Sequence, residues 1–485
     1  MRARPDGLAR SAEGQNRHGW VLLSVVCSAQ LILAVDVTIV NVANASIERA
    51  LGFTTDNLQW TVSAYALAFG GFLLVGGRIA DMWSRRRLFI CGVLAFAVAS
   101  VAAGSSQTMP ELIVSRLAQG LCAAVISPTT LAFITSSFPQ GRKRHGAYAA
   151  WATAGSLGGL LGLLVGGVVT ATLGWRWIFF INAPIALVVV SFAYFLLLAD
   201  EKPIRRRSLD LSGAVTITVA LSLFIFGLGE VESSGWGSLV VIMTLTVPVP
   251  LFVVFWGLQR NAPDPLVPKS LIKRRAAVGN VLAALQQAMG TATLFLCPLF
   301  MQQVLGYSVD KAGAGTLPLP IFFAVGSRLS SRVMNSFGAR KLVLLGFTLM
   351  AIGLAWLART PTNASYMTSF LPGLCLRGLG QGLCVVPTLS TVTADVQPSQ
   401  HGTAAGLYNM SQQVGAALGV AAVAAVASST QLGFRSRVAI AHGMHDGFAF
   451  GVVMAVIGAL ITFALLPGRT ASVLETPPMP VPQTD

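Results

Sequence analysis

The chain has 485 residues, of which 54% are hydrophobic and only 11% are charged. Soluble domains carry about 25% charged residues, so this composition excludes an ordinary soluble protein. The net charge of +15 would suggest nucleic-acid binding in a soluble chain, but a mean hydropathy of +0.70 predicts an integral membrane protein. The six cysteines all lie in apolar runs and none are spaced as CxxC, which argues against a disulfide framework or a zinc site.

Fourteen apolar segments are long enough to cross a membrane, since a span needs about 20 mostly apolar residues. The first segment lacks a small-residue cleavage site and contains an acid, so it is predicted to be a membrane helix and not a signal peptide. The predicted spans cover residues 20–42, 59–79, 88–106, 110–137, 146–170, 175–198, 211–229, 237–257, 277–302, 312–331, 341–358, 366–390, 403–428 and 447–467.

Most of the basic residues fall on one side of the membrane in this predicted topology. With the N-terminus placed in the cytoplasm, 23 of the 33 Lys and Arg residues fall on the cytoplasmic side and six on the outer side. This asymmetry follows the positive-inside rule and predicts a multi-pass protein of the cell membrane with both termini in the cytoplasm. The remaining four arginines lie inside or at the ends of spans: Arg78, Arg116, Arg328 and Arg377.

The chain also contains an internal repeat. A shift of about 254–262 residues places Gly77–Arg87 on Ser331–Lys341 and Gln119–Cys122 on Gln381–Cys384. Chance similarity between Gly- and Ala-rich helices is the alternative, but two parallel halves around a midplane site are typical of secondary transporters. The predicted divisions are a cytoplasmic tail (1–19), a six-helix bundle (20–200), a cytoplasmic linker with two inserted helices (201–275), a second six-helix bundle (276–468) and a disordered tail (469–485).

Asp36 is the acid that lies most clearly inside a predicted span, within the string DVTIVN that ends at Asn41. A charged Asp at the centre of a span costs roughly 2.5–3.5 kcal/mol on insertion scales, so it requires a partner or a function. It is interpreted as a carboxylate that binds a proton or the substrate; a polar residue facing a water-filled cavity is the alternative. Arg116 lies in the same half of the membrane, so the two side chains can meet, unless Arg116 extends to the outer surface instead.

The loop between spans 2 and 3 has the sequence GRIADMWSRRR, from Gly77 to Arg87. Its acid, Asp81, can pair with a cationic side chain or with the positive end of a helix, and such a pair can latch one conformational state. An ordinary cytoplasmic loop would explain the basic residues, including Arg85 and Arg86, but not Asp81.

Span 5 carries glycines at a spacing of four residues, Gly158, Gly162 and Gly166. Such a ridge permits close helix packing. Two longer strings complete the set of motifs: WRWIFFINAP at Trp175–Pro184 and the span-13 stretch Gly402–Gly419.

Together these motifs resemble the major facilitator superfamily, specifically its fourteen-span drug:proton antiporter branch, over nearly the whole chain. The resemblance implies an all-α membrane protein with two six-helix bundles and two inserted helices. It also implies a proton-coupled exporter of lipophilic or cationic drugs or antibiotics by alternating access, which is not an enzyme. Leu163 stands where the exporters' Gly-Pro motif has proline, so a solute importer or a dedicated natural-product exporter of the same superfamily remains the alternative.

The resemblance assigns proton coupling to Asp36 and Arg116. It implies no catalytic residue, no metal, and the proton gradient in place of a cofactor. The expected partners are a small lipophilic substrate, protons and the lipid bilayer, without nucleic acid, and the protein is expected to be monomeric. The remaining assignments are a substrate cavity (Asp36, Asn41, Gln119, Asn409 and Gln413), a gating loop (Gly77, Asp81, Arg85 and Arg86) and helix packing (Gly158, Gly162 and Gly166).

Overall fold

The structure is a computed structural model that describes residues 6–52, 60–197, 210–430 and 437–466. Throughout these ranges the regular elements are helices, with no strand. Twelve of the helices are long and apolar enough to cross a membrane. The prediction of an all-helical, multi-pass membrane protein is therefore confirmed.

The first half of the chain forms seven helices. Helix α1 begins at Asp6, inside the segment 1–19 that was predicted to be a tail. The start of α4 carries a capping box, in which Thr108 and Glu111 satisfy each other's backbone amides. The bounds are α1 Asp6–Leu51, α2 Trp60–Met82, α3 Arg85–Ser105, α4 Met109–Ser137, α5 Arg142–Thr172, α6 Trp177–Phe180 and α7 Asn182–Leu196.

Three helices lie in the middle of the chain, where two inserted spans were predicted. Helix α8 spans Leu211–Ser234, and α9 (Leu239–Thr246) leads into α10 (Pro248–Asn261) through the single residue Val247. Asp210 caps α8 by accepting a hydrogen bond from the backbone N–H of Gly213 at 2.9 Å. Residues 201–209 of the predicted linker lie outside the described residues, as does the predicted disordered tail 469–485.

The last part of the chain repeats the helical arrangement of the first. Helices α14 and α17 overlap the predicted spans 312–331 and 403–428 but are not among the twelve apolar helices. The bounds are α11 Lys269–Ile272, α12 Arg274–Gln303, α13 Val309–Gly315, α14 Pro318–Phe337, α15 Ala339–Leu357, a π-helix Tyr366–Phe370, α16 Leu371–Thr393, a 3-10 turn Pro398–Gln400, α17 His401–Thr430 and α18 Arg437–Leu465.

The largest apolar core contains buried residues of both halves, such as Phe133 and Leu389, and the halves meet along helices of the two repeats. Helix α2 packs against α17, α5 against α14, and α4 against α17. The inserted helix α8 contacts both α2 and α17, through a cluster that includes Leu74, Ile217 and Ala404. The inserted pair thus covers the outer edge of the contact between α2 and α17.

Candidate functional site

Asp36 and Arg116 form a fully buried ion pair between α1 and α4. Arg116 Nη1 donates to Asp36 Oδ2 at 2.6 Å, and the side chains of Arg116 and Asp36 are 1% and 0% exposed. Two opposite charges removed from water persist only with good geometry and further hydrogen bonds, so the surroundings of the pair decide whether it is stable.

Polar side chains from α4 and α7 complete the hydrogen bonding of the Asp36 carboxylate, and one from α3 supports them. Gln119 Nε2 and Asn182 Nδ2 donate to Asp36 Oδ1 at 3.0 Å and 2.8 Å. Gln119 Nε2 also reaches Ser100 Oγ at 2.8 Å. All of these side chains are buried, so the carboxylate is held by donors from α4 and α7 and lies next to α3. We call this group, with Arg116, the Asp36 cluster.

Arg116 is fixed on its other side by α2. Its Nε donates to the backbone carbonyl of Thr61 at 2.8 Å, and its Nη1 donates to Gln119 Oε1 at 2.9 Å. The guanidinium carbon lies 4.6 Å from the centre of the Tyr65 ring and 5.9 Å from that of Phe179, within reach of cation–π attraction. The arginine therefore does not extend to the outer surface, as the alternative interpretation proposed.

The glycine ridge of α5 brings α1 into position. A β carbon added to Gly158 would lie 2.6 Å from the carbonyl oxygen of Leu31, and one added to Gly162 would lie 2.7 Å from that of Val35. At Gly166 it would lie 2.8 Å from a side-chain carbon of Ile39. Only glycine permits this approach along the stretch of α1 that carries Asp36.

Asp81 links the two halves of the protein at one end of the bundle. Its Oδ1 accepts from the backbone N–H of Gly402 at 2.7 Å, and its Oδ2 accepts from the N–H and the Oγ1 of Thr403 at 2.8 Å and 2.7 Å. These groups form the N-terminus of α17, where a carboxylate is favoured by the free amides and the helix dipole. Gly77 packs directly on Gly402 and allows the two helices to approach. We call this connection the Asp81 latch.

Further contacts join the two halves. Arg85 donates to the carbonyl oxygen of Pro398 at 2.9 Å. The Tyr148 and Thr393 hydroxyl oxygens lie 3.0 Å apart, and Thr153 and Ser327 are joined at 3.1 Å. The first two contacts lie at helix ends near the latch, whereas Thr153 and Ser327 lie in the middle of α5 and α14, so the halves are joined from the Asp81 end into the interior of the bundle.

Several candidate residues lie away from the Asp36 cluster. Asn41 is exposed and donates only weakly to Val37 of its own helix, at 3.5 Å. Asn409 joins the halves by donating to Ser127 Oγ at 3.0 Å, whereas Gln413 is half-buried on α17 near Gly70. These residues are therefore not brought together with Asp36 into one polar site.

Arg86 contacts α7 of its own half. It donates to the backbone carbonyl of Tyr194 and lies over that residue's ring, 5.3 Å from the centre. Of the basic residues in the predicted gating loop, Arg85 is the one for which the structure gives a bond to the other half.

Ser100, Asn182 and the Thr61 carbonyl were not among the predicted site residues. Asn182 had a signal, because it is the polar residue in the otherwise apolar string IFFINAP of span 6. Ser100 had none, since a serine in a membrane helix commonly bonds its own backbone. A backbone carbonyl leaves no trace in the sequence at all.

Comparison with known proteins identifies the family to which this architecture belongs. Residues 26–420 match the model of the Major Facilitator Superfamily. The chain is 35% identical over 479 residues to the puromycin resistance protein of Streptomyces alboniger, covering 96% of this chain and 95% of that one. It is 34% identical over 460 residues to the cephamycin export protein of Amycolatopsis lactamdurans, covering 94% and 93%. It is 30% identical over 470 residues to the lincomycin resistance protein of Streptomyces lincolnensis, covering 95% and 94%.

Solved structures show the same fold at low sequence identity. The human organic anion transporter MFSD10 matches with a TM-score of 0.66 at 16% identity, over 92% of this chain and 99% of that one. The proton:xylose symporter XylE matches with a TM-score of 0.63 at 17% identity, over 93% and 97%. At these identities the likeness concerns the fold alone. The family model and the sequence relatives together show that this chain is a member of the major facilitator superfamily of membrane transporters.

Proposed function

We propose that this protein is a proton-coupled exporter that crosses the membrane fourteen times and moves a lipophilic drug or antibiotic out of the cell by alternating access. The names of its relatives, two resistance proteins and one export protein, support an outward direction and an antibiotic cargo. The buried pair of Asp36 with Arg116 is the observation that carries the coupling to protons. With both termini in the cytoplasm of a monomer, the Asp81 end is the cytoplasmic end, because the basic loops lie there.

The Asp36 cluster supplies a site at which uptake of a proton breaks an ion pair and release of the proton restores it. When Asp36 is ionised, it accepts the bonds from Arg116, Gln119 and Asn182. When Asp36 takes up a proton, its attraction to Arg116 is lost, and the arginine keeps its charge because it cannot deprotonate. The free guanidinium then interacts more strongly with its other neighbours on α2. Protonation therefore changes how α1, α2 and α4 are held together.

The Asp81 latch supplies the gate whose opening and closing follow the protonation state of Asp36. The structure is closed at the Asp81 end, since Asp81 and Arg85 both bind the segment at the start of α17. In the proposed cycle, release of the proton from Asp36 to the cytoplasm accompanies opening of the latch and entry of cargo. Protonation from the outside accompanies closure and release of cargo outward.

The proposal is tested by measuring transport direction and its energy source in an efflux-deficient host that expresses the protein. We expect the cells to exclude a lipophilic cationic dye and to lose this exclusion when an uncoupler collapses the proton gradient. Everted vesicles should take up the dye when their interior is acidified. Accumulation of the dye by intact cells in response to the gradient would favour the alternative, an importer.

A dedicated exporter and a broad multidrug pump differ only in the range of cargo. Susceptibility of the expressing host to a panel of chemically unrelated antibiotics separates them. Protection against one structural class indicates a dedicated exporter, and protection against several indicates a broad one.

A further inference from the structure

Another buried arginine, Arg377 on α16 in the C-terminal half, has no ion pair with an acid among the described residues. Its side chain is 2% exposed, and its Nη1 donates to Gln381 Oε1 at 2.6 Å. Within the described ranges, its Nε and Nη2 have no hydrogen-bond partner. A guanidinium does not deprotonate in a protein, and burying it unpaired is strongly unfavourable, so these nitrogens require an acceptor.

The internal repeat shows where that acceptor would be. Gln381 corresponds to Gln119 at a shift of 262 residues, and Arg377 lies one residue before the position of Arg116. The bond from arginine Nη1 to glutamine Oε1 nevertheless occurs in both halves, at 2.6 Å and 2.9 Å. In the N-terminal half the same two side chains also donate to Asp36. The shift of 254 residues that aligns the loops after the second span of each half places Gly290 at the position of Asp36. The matched packing contacts, of Gly158 on Leu31 and of Gly415 on Ala284, place that position one residue earlier, so Gly290 lies at or next to the counterpart of Asp36.

The structure places the donors of the C-terminal half around this glycine. A β carbon added to Gly290 would lie 3.2 Å from Arg377 Nη2 and 3.2 Å from Gln381 Nε2. The two kinds of nitrogen that hold a carboxylate in one half therefore converge, in the other half, on a residue without a side chain. The cationic part of the Asp36 cluster is repeated and its anionic part is not.

We propose that Arg377 and Gln381 form an anion-binding subsite, which takes a small monovalent anionic group in place of the carboxylate that the chain lacks at Gly290. An arginine fork beside an amide donor suits a carboxylate, with which it forms charge-assisted hydrogen bonds. The carboxylate of a cargo molecule and a halide ion from solution share this chemistry. The first source rests on the proposed export function, whereas the binding itself does not.

Thermal unfolding of the purified full-length protein in detergent tests the subsite without any transport. Benzoate serves as the carboxylate probe and chloride as the halide, each titrated at constant ionic strength against a bulky sulfonate. We expect a saturable rise in Tm with at least one probe, because a ligand that binds only the folded state stabilises it by mass action. A rise with benzoate alone indicates a carboxylate group, and a rise with chloride alone indicates an inorganic ion.

Three variants locate the effect. Arg377→Gln removes the charge, and Gly290→Asp supplies an internal carboxylate, so both should abolish the rise. Gln381→Leu keeps the arginine and should weaken the apparent affinity at least tenfold, which keeps the proposal testable if either of the others fails to fold. Arg328→Gln removes an exposed arginine from the same half and should leave the rise unchanged.

The proposal is overturned if neither anion raises Tm of the unmodified protein, or if the rise persists in the variants that alter the subsite. A protein that shows the anion effect but exports nothing would contradict the proposed function and leave the subsite intact. A protein that exports but shows no anion effect would contradict the subsite and leave the proposed function intact.

Discussion

Arg116 and Asp36 meet at 2.6 Å across 80 residues of sequence, and neither side chain is more than 1% exposed. Each partner has other bonds: the carboxylate accepts from two amides, and the guanidinium donates to a backbone carbonyl and to Gln119. The pair is thus the centre of a network in which each member depends on the protonation state of one carboxyl group.

The interdependence of Asp36 and Arg116 is measurable as a coupling energy. Arg116→Gln leaves a buried carboxylate without its cation, so we expect it to lower the free energy of unfolding by about 3–5 kcal/mol at pH 7.5. The double variant with Asp36→Asn should lose clearly less than the sum of the single losses, because it leaves no unpaired charge. Unfolding in detergent measures all four proteins of this cycle. Additive losses would show that the two residues do not interact energetically.

Asp81 should stabilise the closed arrangement through the N-terminus of α17. Asp81→Asn removes the charge and one acceptor oxygen, and we expect the closed state to lose about 1–2 kcal/mol relative to the open state. Labelling of Thr393→Cys, at a buried contact between the halves, should accelerate by about 5- to 30-fold in a background without the six native cysteines.

The control for the latch variant is Asp395→Asn. Asp395 is 52% exposed and pairs with Arg275, a residue of its own half, at 3.5 Å. Its removal should leave the labelling rate of the introduced cysteine unchanged. Equal acceleration by both variants would mean that loss of any acid at this end opens the molecule, and the Asp81 latch would have no specific role.

The glycines of α5 should differ sharply in their tolerance of alanine. Gly162→Ala places a methyl group 2.7 Å from the carbonyl oxygen of Val35, so we expect overpacking to cost about 1–3 kcal/mol of stability. Gly159→Ala places it 3.8 Å from Thr38, which is an ordinary contact, and should be neutral or slightly stabilising. The midpoint of thermal unfolding compares the two variants. Similar midpoints would contradict the close packing of α5 on α1.

His401 should make the gate sensitive to acid on the side of the Asp81 latch. Burial, together with the charges of Arg85 and Arg144, lowers the pKa of His401 to about 4. An exposed histidine titrates near 6.5, so a state that exposes His401 binds more protons between these two values. The closed state should therefore lose stability relative to the open state as the pH falls from about 6.5 toward 4.

The same cysteine-labelling experiment tests this pH dependence. Labelling of Thr393→Cys, corrected for the reactivity of the free reagent, should accelerate between pH 7.5 and pH 5. In the His401→Gln variant the acceleration should be much smaller. An unchanged acceleration would assign the pH dependence to other groups.

The sequence was sufficient to predict the helical membrane fold and the depth that Asp36 and Arg116 share. It misplaced Asn41 relative to the Asp36 cluster, for a geometric reason. Five residues are about 1.4 turns of a helix, so Asn41 points to a different side of α1 from Asp36. The pattern also predicted that Asp81 can cap a helix, but it did not show which helix, since that depends on how the two halves pack.

The supporting donors were harder to predict than the charges. Ser100 and Asn182 come from spans 3 and 6, and their meeting with Asp36 depends on the tertiary packing of three helices. The internal repeat gave an alignment of the two halves, and the structure was needed to show what this alignment means for the Asp36 cluster. The repeat aligned Gln119 with Gln381, and the geometry then placed Gly290 beside the side-chain nitrogens of Arg377 and Gln381.

The most direct test of the account is the transport activity of Asp36→Asn in everted vesicles. The substitution preserves the size of the side chain and removes its ability to exchange a proton. With matched expression, and with Ser24→Ala as a control at an exposed position of the same helix, we predict that the unmodified and control proteins accumulate dye against its gradient when the vesicle interior is acidified. Asp36→Asn should show no accumulation above that of vesicles lacking the protein. Uphill, gradient-driven accumulation by Asp36→Asn would contradict the assignment of Asp36 as the coupling acid.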